Sequence, residues 1–342
     1  MDSLTHIALG ACIGGALAGR SMGRKALLWG AVAQSLPDID FLAGLWCDPA
    51  EDLLSHRGFT HSFLCIGLLG PLLALIAFRF QALLGFSYKK WLFFFTVQLL
   101  MHLLLDALNV YGTGWWEPFS HHRVSGNLLF VADPFFTIPL LVAAGWLFYQ
   151  FRNKEVFSFR PLIAAFGVCL LYLMMALFSK RSVEKDLLAT CLKKGIRTDQ
   201  YFTTPAPFSS FLWYCVVATD RGFYIGYRSV FDRVDDALLT FVPQQDSLID
   251  PVHAREDVQH LIRFSKGYYV IQRQNDTLTF SDLRFGQQMG WWHPQAPFSF
   301  YYFLEHPGQN DFLIQRGRIA GWNRSLFLHY IDRVLGKQQK KI

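Results

Sequence analysis

Between two long apolar runs lies a short polar stretch, His56-Arg57-Gly58-Phe59-Thr60-His61-Ser62. An imidazole there can act as a metal ligand, a general base or a buried hydrogen-bonding group. His102 and Asp106 lie four apart inside an apolar run, so on a helix they share one face. Ionisable side chains at such depth are costly and usually functional. Pro37-Asp38-Ile39-Asp40 turns two carboxylates into a confined place, where two like charges need a cation or a proton. With His6, His56 and His61 and with Asp133, these residues form a metal-ligand set: His6, Asp38, Asp40, His56, His61, His102, Asp106 and Asp133. Imidazole with carboxylate suits divalent Zn, Mn or Fe, zinc first, rather than an all-thiolate site. The set exceeds one tetrahedral shell, so two ions fit it, activating water and clamping the oxygens of a phosphoester. Asp40 or Asp106 is then a candidate general base, and Arg57 and Arg123 are candidates to hold an anionic group.

Each residue also has a plain structural reading. His102 and Asp106 could form an interhelical pair, and His6 stands alone. Asp38 and Asp40 suit a turn after Pro37, and Asp133 suits a helix N-cap before Pro134. His121, His122 and Glu117 read as solvated loop residues. His253, His260, His293, His306 and His329 have no ligand spacing.

The elements that must carry this set are membrane helices. The 342 residues are 52% hydrophobic and only 17% charged, against roughly 25% in soluble domains. The predicted architecture is an α-helical membrane bundle of about six helices over residues 1–180, with a C-terminal β-rich α+β soluble domain over 181–342. Expected helices cover residues 4–18, 26–36, 62–84, 91–108, 128–151 and 161–178. The net charge of +6 is spread along the flanks of apolar runs and forms no single patch, which argues against nucleic acid and for the bilayer as partner. Arg20, Arg24, Lys25, Arg79, Lys89, Lys90, Arg152, Lys154 and Arg160 follow helices one, three and five, whereas only Arg57 and Arg123 follow helices two and four. Cytoplasmic loops collect basic residues. The asymmetry therefore puts the N-terminus, the loops after helices two and four and the C-terminal domain outside the cytoplasm, with every candidate ligand at that face. Lys180 and Arg181 argue mildly the other way.

The C-terminal part predicts strands over 211–217, 222–230, 268–272, 277–280 and 298–304, with hairpins at Asp220-Arg221-Gly222 and Gln274-Asn275-Asp276 and a helix over 326–335. Six cysteines show no CxxC spacing; Cys191 and Cys215 could pair in an oxidising space. No cleavable signal is visible, since Asp2 stands where a basic n-region is needed.

Met1-Asp2-Ser3-Leu4-Thr5-His6, Leu36-Pro37-Asp38-Ile39-Asp40, His56-Arg57-Gly58-Phe59-Thr60-His61-Ser62, His102-Leu103-Leu104-Leu105-Asp106, Tyr111-Gly112-Thr113, Pro118-Phe119-Ser120 and Asp133-Pro134 together resemble the YdjM-like family of bacterial inner-membrane proteins, described as metal-dependent hydrolases. The resemblance covers about residues 1–140; longer, YfhP-like members carry a C-terminal extension. It implies a metal role for His6, Asp38, Asp40, His56, His61, His102 and Asp106, with Asp133 as ligand or supporting group. The first reading is thus a membrane-embedded metallohydrolase acting on an amphipathic or lipid-linked substrate. A metal-stabilised scaffold or binding protein is the alternative. Metal transport ranks last, because Gln98 is the obvious polar residue deeper in helix four.

Overall fold

The computed structural model describes residues 1–80, 86–153, 157–198, 200–233, 239–274, 277–306, 308, 310 and 322–337. Residues 81–85, Lys154 and the Asn275-Asp276 turn, all used in the sequence reading, lie outside the described residues. Packing divides the chain into two compact units, residues 1–43 with 55–175, and residues 44–54 with 176–342.

The first unit is helical. Helix α1 (Ser3–Met22) is capped by Asp2, whose carboxylate accepts from Thr5 N at 3.1 Å. Gly23, at φ +56°, turns the chain into α2 (Arg24–Ser35). The two helices touch backbone to backbone: a Cβ on Gly10 or Gly14 would collide with the carbonyl of Gly30 or Ala26. Small residues permit this approach. A 3-10 segment, Pro37–Leu45, and a 3-10 turn, Phe59–His61, precede α4 (Phe63–Phe80). Between them in sequence comes α3 (Pro49–Ser55), most of which belongs to the second unit; it is started by Asp48, which accepts from Ala50 N and Glu51 N at 2.8 and 2.9 Å. Helix α5 (Tyr88–Asp106) packs along α4, and Trp91, Phe94 and Phe95 bury against Ala26, Ala33, Ala74 and Ala77. Helix α6 (Pro134–Arg152) follows, capped by Asp133, and then α7 (Arg160–Lys193).

The expected count of about six membrane helices is corrected. Among the described residues, α4, α6 and α7 are long and apolar enough to cross a membrane. Helix α2, with 12 residues, reaches about 18 Å, short of a hydrocarbon core of about 30 Å. Helices α1 and α5 bury polar side chains, among them Thr5, His6, Gln98, His102 and Asp106. The fifth expected helix starts at Pro134 rather than residue 128, because Asp133-Pro134 is a start signal. The sixth does not stop at Phe178 but runs to Lys193: charged residues on an exposed face do not end a helix, and the left-handed Gly195 follows it.

The second unit is rich in strands. Antiparallel β1 (Gln200–Pro205), β2 (Leu212–Thr219), β3 (Gly222–Ser229) and β4 (Thr240–Pro243) form one sheet in that order. Antiparallel β5 (Tyr269–Gln274), β6 (Thr277–Asp282) and β7 (Tyr301–Phe303) form another. The Asp220-Arg221 hairpin is present, pairing Thr219 with Gly222. The two sheets share a core in which Tyr214, Val216, Phe223 and Ile225 meet Val270, Leu283 and Phe298. Helices α8 (Glu256–Ser265) and α9 (Arg324–Val334) complete the unit. Cys191 and Cys215 are not joined in a disulfide.

The glycine contact yields a test. Gly30→Leu should overpack α1 against α2 and cost about 1–3 kcal/mol or more. Gly145→Ala, where an added Cβ meets nothing within 4 Å, should not lower stability. Thermal unfolding in detergent should show a lower midpoint for the first variant alone.

Candidate metal centre

Four side chains converge: Asp38 from the 3-10 segment, His61 from the 3-10 turn, and His102 and Asp106 from the last turns of α5. One ligand atom from each lies within 4.8 Å of the other three. The Nε2 atoms of His61 and His102 are 2.9 Å apart, each is 3.5 Å from Asp38 Oδ1, and they stand 3.4 and 3.8 Å from Asp106 Oδ2. Two imidazole nitrogens on one tetrahedral zinc at ~2.0–2.1 Å stand roughly 3.3 Å apart, close to this spacing.

Hydrogen bonds fix which nitrogen of each ring faces inward. His102 Nδ1 is 2.6 Å from the Gln34 carbonyl oxygen. A carbonyl only accepts, so Nδ1 carries the proton and a neutral His102 presents a lone pair at Nε2. His61 Nδ1 donates to Thr60 Oγ1 at 2.9 Å and faces Asp40 Oδ2 at 3.2 Å, again leaving Nε2 inward. Two lone pairs pointed at each other need a proton or a cation between them. Asp106 Oδ2 adds a buried oxygen that accepts no hydrogen bond. The donor set and its orientation fit a divalent cation, and the outward bonds are those that orient metal-binding histidines.

The electrostatics agree. Burial opposes charge on His61, but the carboxylates of Asp106, Asp38 and Asp40 around its ring win and raise its pKa to about 10. Burial likewise opposes ionised Asp38, yet His102 and His61 hold its carboxyl well below the usual range. Asp40 is held down in the same way by His56 and His61.

The other expected site residues stand outside this group of four. Asp40 lies behind His61: it accepts from Arg57 N at 2.8 Å and Thr60 Oγ1 at 2.6 Å, and contacts His56 Nδ1 at 2.8 Å. His56 thus meets Asp40 and not the four converging atoms. His6 Nε2 bonds Asp106 Oδ1 at 3.0 Å, and its ring stacks on His102 at 3.9 Å. The Met1 amino group also contacts Asp106. Arg57, 4% exposed and at φ +60°, sets Nε 3.0 Å from Asp106 Oδ2, donates to Asn109 and the Met1 carbonyl, and lies over the Tyr111 ring. It therefore backs Asp106 rather than reaching an anion in solvent. Arg123 donates to the His56 carbonyl at 2.6 Å. Asp133 caps α6 and accepts from Tyr172 Oη at 2.7 Å. His121 and Glu117 pair with each other on the exposed loop. Sequence reasoning missed Thr60, the Gln34 carbonyl and buried Asn109. Thr60 was adjacent to a candidate ligand, whereas a backbone acceptor leaves no sequence signal.

A family model described as "YdjM inner membrane protein" matches residues 1–183, a stretch that contains every residue of the cluster. The uncharacterized protein YfhP of Bacillus subtilis is 27% identical over 301 residues, covering 83% of this chain and 87% of that protein. The inner membrane protein YbcI of Escherichia coli is 36% identical over 122 residues, covering 35% of this chain and 69% of that protein. No solved structure matches.

Removing the Asp40 charge takes away one of three bases that keep His61 protonated. In metal-free Asp40→Asn the His61 pKa should fall from its native value of about 10, so its proton should leave at lower pH. An NMR titration of ring-labelled histidines reads this directly, and an unchanged pKa would remove Asp40 from the role. By the match over residues 1–183, this chain belongs to the YdjM inner membrane protein family.

Proposed function

We propose that the protein is a membrane-bound metal-dependent hydrolase acting on an ester of an amphiphile, with a lipid phosphoester as the first candidate. The convergence of Asp38, His61, His102 and Asp106 carries this reading. Two nitrogens and two oxygens suit zinc, with manganese or iron as alternatives. A divalent cation held there supplies Lewis acidity toward a phosphoryl oxygen and makes water more acidic. Among the described residues no second group of this kind meets the four, so one cation is the simpler count, and a second would have to draw on Asp40 and His56.

The chain's own residues divide the remaining work. Of the four cluster side chains only Asp38 reaches the surface, at 21% exposure, with His61, His102 and Asp106 at 0%. Asp38 is thus the member that meets a substrate. Asp40 and the Gln34 carbonyl hold the two imidazoles in the inward-facing tautomer. Arg57 keeps Asp106 ionised and in place. Exposed Ile39 and Phe41 follow Asp38 on its own segment, which favours a substrate with an apolar tail. The basic residues that follow α1, α4 and α6 support an extracytoplasmic site.

A second reading rests on the same burial. Three members sealed from solvent also describe a structural cation that ties α5 to the two 3-10 segments, as in a non-enzymatic scaffold.

Zinc-loaded protein in nanodiscs should cleave phosphatidate or phosphatidylglycerol, and His102→Ala should lose both bound metal and turnover while keeping its helical circular dichroism. Metal that binds and raises the unfolding temperature, without turnover on either lipid, would favour the structural cation. Binding should also release a proton from His61 below about pH 10, so affinity should rise with pH. Calorimetry in buffers of different ionisation enthalpy counts that proton.

A further inference from the structure

The loop after α5 holds two large exposed aromatics that the cluster does not use. Trp116 is 54% exposed and Phe119 83%. The loop that carries them is closed and fastened. Thr113 and Val124 pair through two backbone bonds of 3.0 and 2.9 Å, closing its base. Gly114 N donates to the Arg57 carbonyl at 2.9 Å, and Arg123 to the His56 carbonyl at 2.6 Å, joining it to the segment that carries His61. A Cβ on Gly114 would stand 2.7 Å from Glu117 Cγ, so this position fits glycine.

The loop is also joined to a helix apolar enough to cross a bilayer. Phe63 is the first residue of α4; its N–H donates to the Trp115 carbonyl at 3.0 Å, and its ring packs on Trp115 and Trp116 at 5.3 and 5.4 Å. The first residue of a spanning helix lies where hydrocarbon gives way to headgroups, and tryptophan concentrates in that layer. A ring held within a few ångströms of Phe63 shares its depth. Phe59, 48% exposed, sits three residues before the polar Ser62 and adds a third apolar side chain at the same end. Half-buried Glu117 and exposed His121 and His122 supply the polar groups that stop such a loop from sinking further.

We propose that the closed loop 113–124 is a membrane-interface anchor, with Trp116 and Phe119 seated at the headgroup–acyl boundary of the leaflet next to the cluster. The occupant of this apolar surface is lipid. Because the loop is bonded to Arg57 and His56, its immersion sets the depth of the cluster as well. The anchor rests on α4 crossing the bilayer and not on hydrolysis, so it stands whether the cation is catalytic or structural.

The test uses the full chain in bilayers containing lipids brominated near the carbonyl or near the chain end. The fluorescence lost in Trp116→Phe isolates the Trp116 signal from the other tryptophans. That difference signal should be quenched by the shallow bromines and protected from iodide. Quenching by iodide with no effect of either brominated lipid would overturn the proposal by placing the loop in water. Quenching chiefly by the deep bromines would overturn it by placing the loop in the hydrocarbon. Phe119→Ser provides a second arm: it should increase iodide access to Trp116, and unchanged access would count against anchoring by Phe119. Metal content, expected to be unchanged in both variants, separates failure of the anchor from failure of the metal reading.

Discussion

Two imidazole lone pairs and two carboxylate oxygens that face one another in a sealed space cannot remain without positive charge. The helical unit is arranged around that constraint. Arg57 brings one fixed charge to the back of Asp106, and the proton on His61 can bring another. Neither has the geometry of a group bonded to all four side chains at once, which a divalent cation has. The supporting structure follows from the need to hold these atoms. The glycine contact packs α1 closely against α2, the Pro37 turn that follows α2 carries Asp38, and the 3-10 turn after Gly58 carries His61 to the same point.

The outward bonds matter as much as the inward atoms. A histidine ring with its distal nitrogen free could rotate or take the wrong tautomer. His102 is fixed by a backbone carbonyl of α2, and His61 by Asp40 and Thr60. Asp40 also gathers the Arg57 amide and His56, so one carboxylate orders the whole 56–61 segment. The candidate ligands separate accordingly into a converging group and a ring of residues that place it. His6 belongs to the ring through Asp106, and Asp133 is farther off as the cap of α6.

Much of this was legible in the chain. The four-residue spacing of His102 and Asp106, the Pro37-Asp38 turn and the two histidines around Thr60 each pointed to the site, because ionisable groups in apolar surroundings are rarely idle. Sequence could not rank the ligands: Asp38 and Asp40 are two residues apart and chemically alike, and only the turn geometry decides which one faces His61 Nε2. Arg57 looked like an anion clamp because its burial over Tyr111 depends on contacts distant in sequence. In the strand-rich unit, hairpins with apolar alternation were visible. The strands β1 and β4 were missed, as polar Thr203 and Thr204 or an exposed edge blur the alternation. Helix α8 had a readable signal, Val258, Leu261 and Phe264 at helical spacing, which the aromatic richness of its neighbours masked.

The claim on which the account turns is a cation held by two imidazoles and two carboxylates at the end of α5. X-ray absorption at the metal edge, on protein purified from membranes, tests it most directly. The account predicts a bound divalent ion with two imidazole nitrogens at about 2.0–2.1 Å, oxygen in the remaining positions and no sulfur. A protein that binds no metal under saturating zinc, manganese or iron, or a spectrum with thiolate ligands, would contradict it.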